Sequence, residues 1–157
     1  YLLGNYEKLY KALTENTLPP VDIIMNTAEG INSRNREGWI PSLLEINNIP
    51  YSGSDAYALG LTLNKLHTKN IAEYLGIPTP PYCIINTIED VDKAYQELDG
   101  PWILKPNYEG SSSGVAFSKT KEELLDNAKF LLKEYSQPLV CETYISGREF
   151  GKELYTM

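Results

Sequence analysis

The chain has 157 residues, of which 42% are hydrophobic and 22% are charged, and its formal net charge is −7 at pH 7. These values are typical of a folded globular protein, and the acidic excess argues against a partner such as DNA or RNA. No run of about 18 apolar residues predicts a membrane span, and no signal-peptide pattern opens the chain, so we expect a cytoplasmic protein.

The cysteines and the single histidine limit the chemistry. Cys83 and Cys141 lie in apolar, strand-like runs, so we predict buried, reduced thiols. No spacing of metal ligands accompanies them, and His67 is predicted on the face of a helix. We therefore predict no metal site built by this chain alone.

The first third of the chain predicts an α/β arrangement. Apolar residues at helical spacing predict a helix at 5–16, and the apolar run 21–25 predicts a buried strand. A polar loop at 26–36 is followed by a predicted helix at 37–48 and a short strand at 49–51. No hairpin turn joins these elements, which favours parallel strands with a loop at their ligand-binding ends. The apolar face of the second helix consists of Trp39, Ile40, Leu43, Leu44 and Ile46.

The remainder predicts an α+β arrangement. Ser54 or Asp55 can cap a helix that ends at Leu63, and Asn64 can begin the next helix, which ends at Tyr74. After these come, in order, a strand at 82–85, a helix at 88–98, a β-hairpin, a helix at 121–135 and a strand at 138–142. The hairpin makes this half α+β, because its two strands are antiparallel.

The tip of the predicted hairpin, residues 105–114, reads KPNYEGSSSG. Glycines let successive backbone N–H groups turn toward one point, and the serine hydroxyls add further donors, which predicts a loop that closes over a polyphosphate. It is not a Walker A loop, because the glycine spacing is wrong and a strand follows instead of a helix. The alternative is an ordinary mobile hairpin tip.

One carboxylate ends the last predicted strand and a second lies seven residues beyond it. Glu142 and Glu149 lie about 20 Å apart in an extended chain unless the turn at Ser146 and Gly147 folds them together, so they are not an obvious acid/base pair. An adenosine accounts for them better, since one carboxylate can accept from the exocyclic amine and the other from the ribose hydroxyls. The alternative is two surface glutamates.

These segments together resemble a known family. Lys105 and Pro106, with Glu109 to Ser112 and the segment 140–150, resemble the ATP-grasp ligases, and 49–54 with 63–65 resemble their D-alanine–D-alanine ligase-like members. The resemblance implies an incomplete, Rossmann-like pre-ATP-grasp lobe at 1–63, of α/β class. The small ATP-grasp lobe at 64–150, of α+β class, would follow. Residues 151–157 would begin a large ATP-grasp lobe that is absent.

The resemblance also implies a reaction. ATP would phosphorylate a carboxylate, and an amine would attack the acyl phosphate to form an amide, in the synthesis of peptidoglycan precursors. The substrates would be D-alanine or another amino acid, with ATP and Mg²⁺ as cofactors, and the protein would form a homodimer as related ligases do.

By motif position, the resemblance assigns roles to individual residues. Lys65 and Lys105 would contact the ATP phosphates, and the loop that covers them would contain Glu109, Gly110, Ser111 and Ser112. Glu142 would accept from the adenine amine, Glu149 would hold the ribose, and the backbone contacts to the adenine would come from Tyr144 and Ile145. Glu29, which stands where characterised dipeptide ligases often have a histidine, is the candidate substrate residue.

No catalytic residue is expected within the 157 residues. In the family, the magnesium ligands and an arginine that stabilises the acyl phosphate belong to the large lobe, so we predict that this chain alone is inactive. The alternatives are another ATP-grasp ligase for amino acids or peptides, a degenerate nucleotide-binding module, and a structural α/β domain without a ligand.

Overall fold

The computed structural model describes residues 5–30 and 33–148. Two compact units divide the chain: unit 1 comprises residues 1–79 and 105–114, and unit 2 comprises residues 80–104 and 115–157. Within the described residues, no helix is both long enough and apolar enough to cross a lipid bilayer.

Unit 1 contains four helices and one pair of strands in its described part. Its elements are α1 (Tyr6–Thr14), β1 (Ile24–Met25), a 3₁₀ turn (Arg36–Gly38), α2 (Trp39–Ile46), β2 (Tyr51–Ser52), α3 (Ala56–Leu63) and α4 (Lys65–Tyr74). Strands β1 and β2 are parallel, with Ile24 opposite Tyr51, which confirms the predicted α/β class of this region. Leu9, Ile40 and Leu44 form the buried core between α1 and α2.

Two predictions about apolar residues in unit 1 are wrong. The run 21–25 is not a buried strand: only its last two residues are in β1, and Ile23 and Met25 are 62% and 79% exposed. Successive strand residues point to opposite faces, so Ile24 packs on the core while its neighbours face away from it. Ile46, at the end of α2, is 76% exposed and does not belong to the core.

Unit 2 is built on a four-stranded sheet. Its elements are β3 (Tyr82–Ile85), α5 (Asp90–Glu97), β4 (Trp102–Pro106), β5 (Ala116–Ser118), α6 (Lys121–Tyr135) and β6 (Leu139–Thr143). The strand order is β3-β6-β4-β5, and the pairs β3/β6 and β4/β5 are antiparallel. This sheet confirms the predicted hairpin and the α+β class; the last two residues of β4, Lys105 and Pro106, belong to unit 1.

The helices of unit 2 cover one face of this sheet. Leu104, Leu139 and Cys141 pack there against Leu124 and Leu131 of α6. Cys141 is fully buried, and burial raises the pKa of its thiol to about 12, so it stays protonated at neutral pH. Cys83, its partner in the strand register, is only half-buried, so the prediction of a buried thiol is confirmed for Cys141 and wrong for Cys83; both cysteines are free.

Several helices begin at a residue whose side chain caps them. The side chain of Asp55 accepts from the N–H of Ala58 at 2.7 Å, and Thr120 caps α6 through the N–H of Glu123 at 3.2 Å. Helix α5 begins two residues later than predicted, at Asp90. Its carboxylate accepts from the N–H groups of Asn86 and Thr87, which lowers the pKa of Asp90.

Candidate functional site

The hairpin tip forms an exposed turn, which we call the serine loop (residues 107–114). Ser111 and Ser112 adopt left-handed backbone conformations, with φ of 50° and 61°, and Gly114 has a φ of 71°. The N–H of Ser113 donates to the carbonyl of Gly110 at 2.9 Å. Two consecutive left-handed residues with side chains are unfavourable, so contacts with the rest of unit 1 must hold this conformation.

Lys65 is attached to the serine loop. It is the first residue of α4, a helix that begins here because the side chain of Asn64 accepts from the N–H of His67 at 3.2 Å. The ammonium group of Lys65 donates to the backbone carbonyl of Glu109. The structure therefore brings the predicted lysine and the predicted loop together, although 44 residues separate the bonded pair.

A buried arginine holds the carboxylate of Glu109. Arg36 is 6% exposed; its Nη2 lies 3.6 Å from Oε2 of Glu109, and its Nη1 donates to the carbonyl of Ser33 at 3.3 Å. Gly30 leaves room for it: a Cβ at this position would lie 2.8 Å from Cβ of Arg36, and φ of Gly30 is +66°. Sequence reasoning did not select Arg36, because a buried arginine has no pattern that separates it from an exposed one.

Glu29 contacts the tip of the serine loop. The hydroxyl of Ser111 donates to its carboxylate, with distances of 2.9 and 3.1 Å to the two oxygens. Oε2 of Glu29 lies 3.9 Å from the position of a Cβ at Gly110, so a side chain there would touch the carboxylate. This contact ties the polar loop after β1 to the serine loop, across 82 residues of sequence.

Glu37 adds a third carboxylate to the surroundings of Glu29 and Glu109. Burial is the main reason that its pKa is raised; Arg36 and Lys65 oppose this effect, and Glu29 adds to it. Three acidic groups therefore lie around two cationic groups in unit 1. Lys105, which ends β4 together with Pro106, contributes a further cation to this unit.

The end of β6 is the corresponding feature of unit 2. Glu142 is 6% exposed and alternates with Leu139 and Cys141, which face the helices, so it lies on the other face of the sheet together with Val140. Ile103 of β4 also points away from the helix-covered core, because its neighbours Trp102 and Leu104 are buried in it. A buried carboxylate thus lies on an apolar strand face.

The backbone that follows β6 is only partly bonded within the protein. The N–H of Tyr144 donates to the carbonyl of Pro101 at 2.8 Å, and the Tyr144 ring packs edge-on against Phe117 with centroids 5.1 Å apart. Ile145 is 63% exposed, and its amide makes no backbone hydrogen bond to another of the described residues. Glu149, the predicted ribose ligand, lies outside the described residues.

The site residues thus fall in two groups. Unit 1 holds the predicted residues Glu29, Lys65, Lys105, Glu109, Gly110, Ser111 and Ser112, and unit 2 holds Glu142, Tyr144 and Ile145. Within residues 5–30 and 33–148, no three His, Cys, Asp or Glu side chains cluster in a way that could hold a metal ion.

Comparisons with known proteins identify a family and several relatives. A family model described as the ATP-grasp domain matches residues 70–157. The D-alanine–D-alanine ligase of Pseudomonas fluorescens is 42% identical over 114 residues, which are 73% of this chain and 35% of that protein. An uncharacterised protein of Sinorhizobium fredii is 33% identical over 155 residues, 94% of this chain and 45% of that protein.

A solved structure shows the same likeness. The crystal structure of D-alanine–D-alanine ligase from Bacillus anthracis complexed with ATP matches with a TM-score of 0.70 and 27% identity, over 92% of this chain and 46% of that one. The chain therefore spans between about a third and a half of the length of these similar proteins.

Proposed function

This chain belongs to the ATP-grasp family, and we propose that it forms part of an ATP-dependent carboxylate–amine ligase of the D-alanine–D-alanine ligase type. The observation that carries the proposal is the bond between the ammonium group of Lys65 and the carbonyl of Glu109, next to two left-handed serines. This bond places a cation beside a loop that carries N–H and hydroxyl donors. A site for an oligophosphate needs both kinds of group.

The phosphates of ATP would be bound in unit 1. Lys65, Lys105 and the donors of Gly110, Ser111 and Ser112 would neutralise and orient the negatively charged oxygens. Because Lys65 is bonded to the loop backbone, closure of the serine loop and contact between the lysine and phosphate are coupled. Positioning and charge neutralisation are the main contributions of a protein to phosphoryl transfer.

Bound Mg²⁺ would supply further neutralisation of the triphosphate charge. Within residues 5–30 and 33–148 no three His, Cys, Asp or Glu side chains form a group that could hold a metal ion, and we assign no step to a metal. That the magnesium ligands belong to the large ATP-grasp lobe stays a prediction.

The adenine would be read in unit 2. Glu142 would accept a hydrogen bond from the exocyclic amine, and the half-buried Ile103 would offer an apolar contact for the ring. The N–H of Tyr144 is already bonded to Pro101, so we expect its carbonyl, together with the N–H of Ile145, to face the adenine edge. The role of Glu149 at the ribose stays a prediction.

Glu29 would meet the amino-acid substrate. Its carboxylate is exposed, and a carboxylate is the natural partner of a substrate ammonium group. The neighbouring Glu37 adds negative charge at this position. The substrate would be D-alanine or another amino acid.

Other properties of the whole protein are proposed on the same basis. We expect the lobe boundary near residues 63 and 64, small-molecule substrates, a homodimer, and action in the cytoplasm on peptidoglycan precursors. The 157 residues alone would bind nucleotide without turnover.

The test is phosphate release from ATP by the protein expressed from its full reading frame, with D-alanine and with a panel of other amino acids. D-alanine-dependent release with formation of a dipeptide supports the proposal. Release with a different amino acid would indicate another ATP-grasp ligase, and ATP binding without release under any condition would indicate a degenerate nucleotide-binding module. A protein that does not bind ATP would overturn the proposal.

A further inference from the structure

Asn107 occupies the base of the serine loop and uses every polar group of its side chain within the protein. It is 2% exposed. Its Oδ1 accepts from the N–H of Leu66 at 2.9 Å, and its Nδ2 donates to Oδ1 of Asn64 at 2.9 Å. Its backbone carbonyl accepts from the N–H of Lys65 at 3.1 Å. Asn107 therefore joins the loop to the first turn of α4 by three hydrogen bonds.

These hydrogen bonds occupy N–H groups at the N-terminus of α4. The first three N–H groups of a helix have no partner within it, and they often bind anions. Here the N–H groups of Lys65 and Leu66 donate to Asn107, and that of His67 donates to Asn64. A phosphate near this helix would consequently be met by the Lys65 side chain and not by the helix amides.

The same hydrogen bonds fix the position of the Lys65 backbone, from which its side chain extends. Its backbone is bonded to residue 107 and its ammonium group to residue 109, so both ends of the lysine are attached to the loop. A shift of α4 relative to residue 107 would move the ammonium group away from the loop. Asn107 determines that distance, although it is buried and cannot itself reach a ligand.

We propose that Asn107 is a positioning residue for phosphate recognition, which acts through Lys65. The proposal rests on the proposed function, in which Lys65 contacts ATP phosphates. An asparagine is required because the side chain must accept from Leu66 and donate to Asn64 at the same time. Aspartate has the same shape but lacks the donor, and it would place a carboxylate against the carbonyl oxygen of Asn64.

The experiment compares the affinities of ADP and adenosine by titration calorimetry, using the protein from its full reading frame. A merely structural residue would affect both ligands alike, whereas a residue that positions Lys65 affects only the ligand with phosphates. We expect Asn107→Asp to weaken ADP binding about tenfold, or about 1.4 kcal/mol, and to leave adenosine binding unchanged. Asn127→Asp is the matched control. Asn127 lies in unit 2, far in sequence from Lys65, and its side-chain amide donates to Ser118 at 3.0 Å. Loss of this hydrogen bond should leave the ratio of ADP to adenosine affinity unchanged.

A rescue variant tests the mechanism. In Asn64→Ser/Asn107→Asp, the serine hydroxyl can cap the helix and donate to the new carboxylate, so we expect ADP affinity to recover toward the wild-type value. Asn107→Ser keeps the backbone bond to Lys65 and loses the two side-chain bonds; we expect about a threefold loss, and this variant decides the question if Asn107→Asp does not fold.

The outcomes separate the two proposals. A wild-type protein that binds adenosine as tightly as ADP overturns the phosphate role of the loop, and the role of Asn107 with it. A wild-type preference for ADP that persists unchanged in the Asn107 variants overturns only the positioning role.

Discussion

The candidate site residues of unit 1 and those of unit 2 are held in different ways. In unit 1, side chains from distant parts of the chain hold the serine loop: Ser111 bonds to Glu29, and Glu109 bonds to Lys65 and pairs with Arg36. In unit 2, the register of β6 between β3 and β4 places Glu142, which lies opposite Tyr82. The pattern of a whole strand fixes the register of a sheet, so a single substitution rarely changes it. Each contact in unit 1 depends on one or two side chains, so a single substitution removes it.

From this difference we expect the largest loss of ATP affinity when Lys65 is substituted. Lys65→Met removes both a cation at the phosphates and the bond to Glu109, so we expect ATP affinity to fall about 30- to 100-fold while the fold is kept, because charge-assisted hydrogen bonds contribute about 1.5–3 kcal/mol. Titration with ATP measures the loss, and circular dichroism checks the fold.

Lys11→Met is the matched control for this change. Lys11 is an exposed lysine of unit 1 whose ion pair with Glu15 is 3.8 Å long, so its loss should not affect ATP. An equal effect of the two variants would show that Lys65 contributes only general charge. Unchanged affinity in both would remove Lys65 from the site.

The corresponding change in unit 2 has a smaller and more selective effect. Glu142→Gln keeps the shape of the side chain and the sheet register, but replaces one acceptor by an amide donor that would face the adenine amine. We expect ATP affinity to fall about tenfold while GTP, which carries a carbonyl at that position, binds no worse. The ratio of ATP to GTP affinities is the measurement.

The control for Glu142→Gln is Glu97→Gln. Glu97 is a carboxylate of α5 that accepts from the thiol of Cys83 at 3.4 Å. The same loss of selectivity in both variants would argue against a role of Glu142 at the adenine.

Local sequence patterns account for the elements of unit 2 better than for the side-chain contacts of unit 1, for a physical reason. The hairpin, the last strand and the capped helices follow from local patterns, and alternation along β6 is enough to separate Glu142 from Cys141. The resemblance selected Lys65 and the serines by motif position, but it gave no hint that Glu29 would contact Ser111.

The contacts that sequence reasoning missed are long-range and made by polar residues. Arg36 and Asn107 are buried among polar partners, and hydrophobic periodicity carries no information about such positions. The exposure of Ile23 and Ile46 was missed for a related reason: an apolar run predicts an element, but the layers that cover it depend on the tertiary structure.

The smallest expected effect concerns the pH dependence of stability, and it has opposite signs in the two units. The pKa of Glu37 in unit 1 is raised in the folded state, mainly by burial, so its ionised form opposes folding above that pKa and the penalty disappears as the pH falls below the unfolded value. The pKa of Asp90 in unit 2 is lowered by hydrogen bonds from backbone N–H groups, so its contribution stabilises the fold above the unfolded pKa and is lost as the pH falls.

We therefore expect Glu37→Gln to raise the melting temperature at neutral pH and Asp90→Asn to lower it, with both differences shrinking toward about pH 3, where the carboxyl groups protonate. Thermal unfolding of both variants across this pH range tests this prediction. A change of the melting temperature with the same sign in both variants would mean that ionised Glu37 does not destabilise the fold. The contrast between the two units would then not extend to their electrostatics.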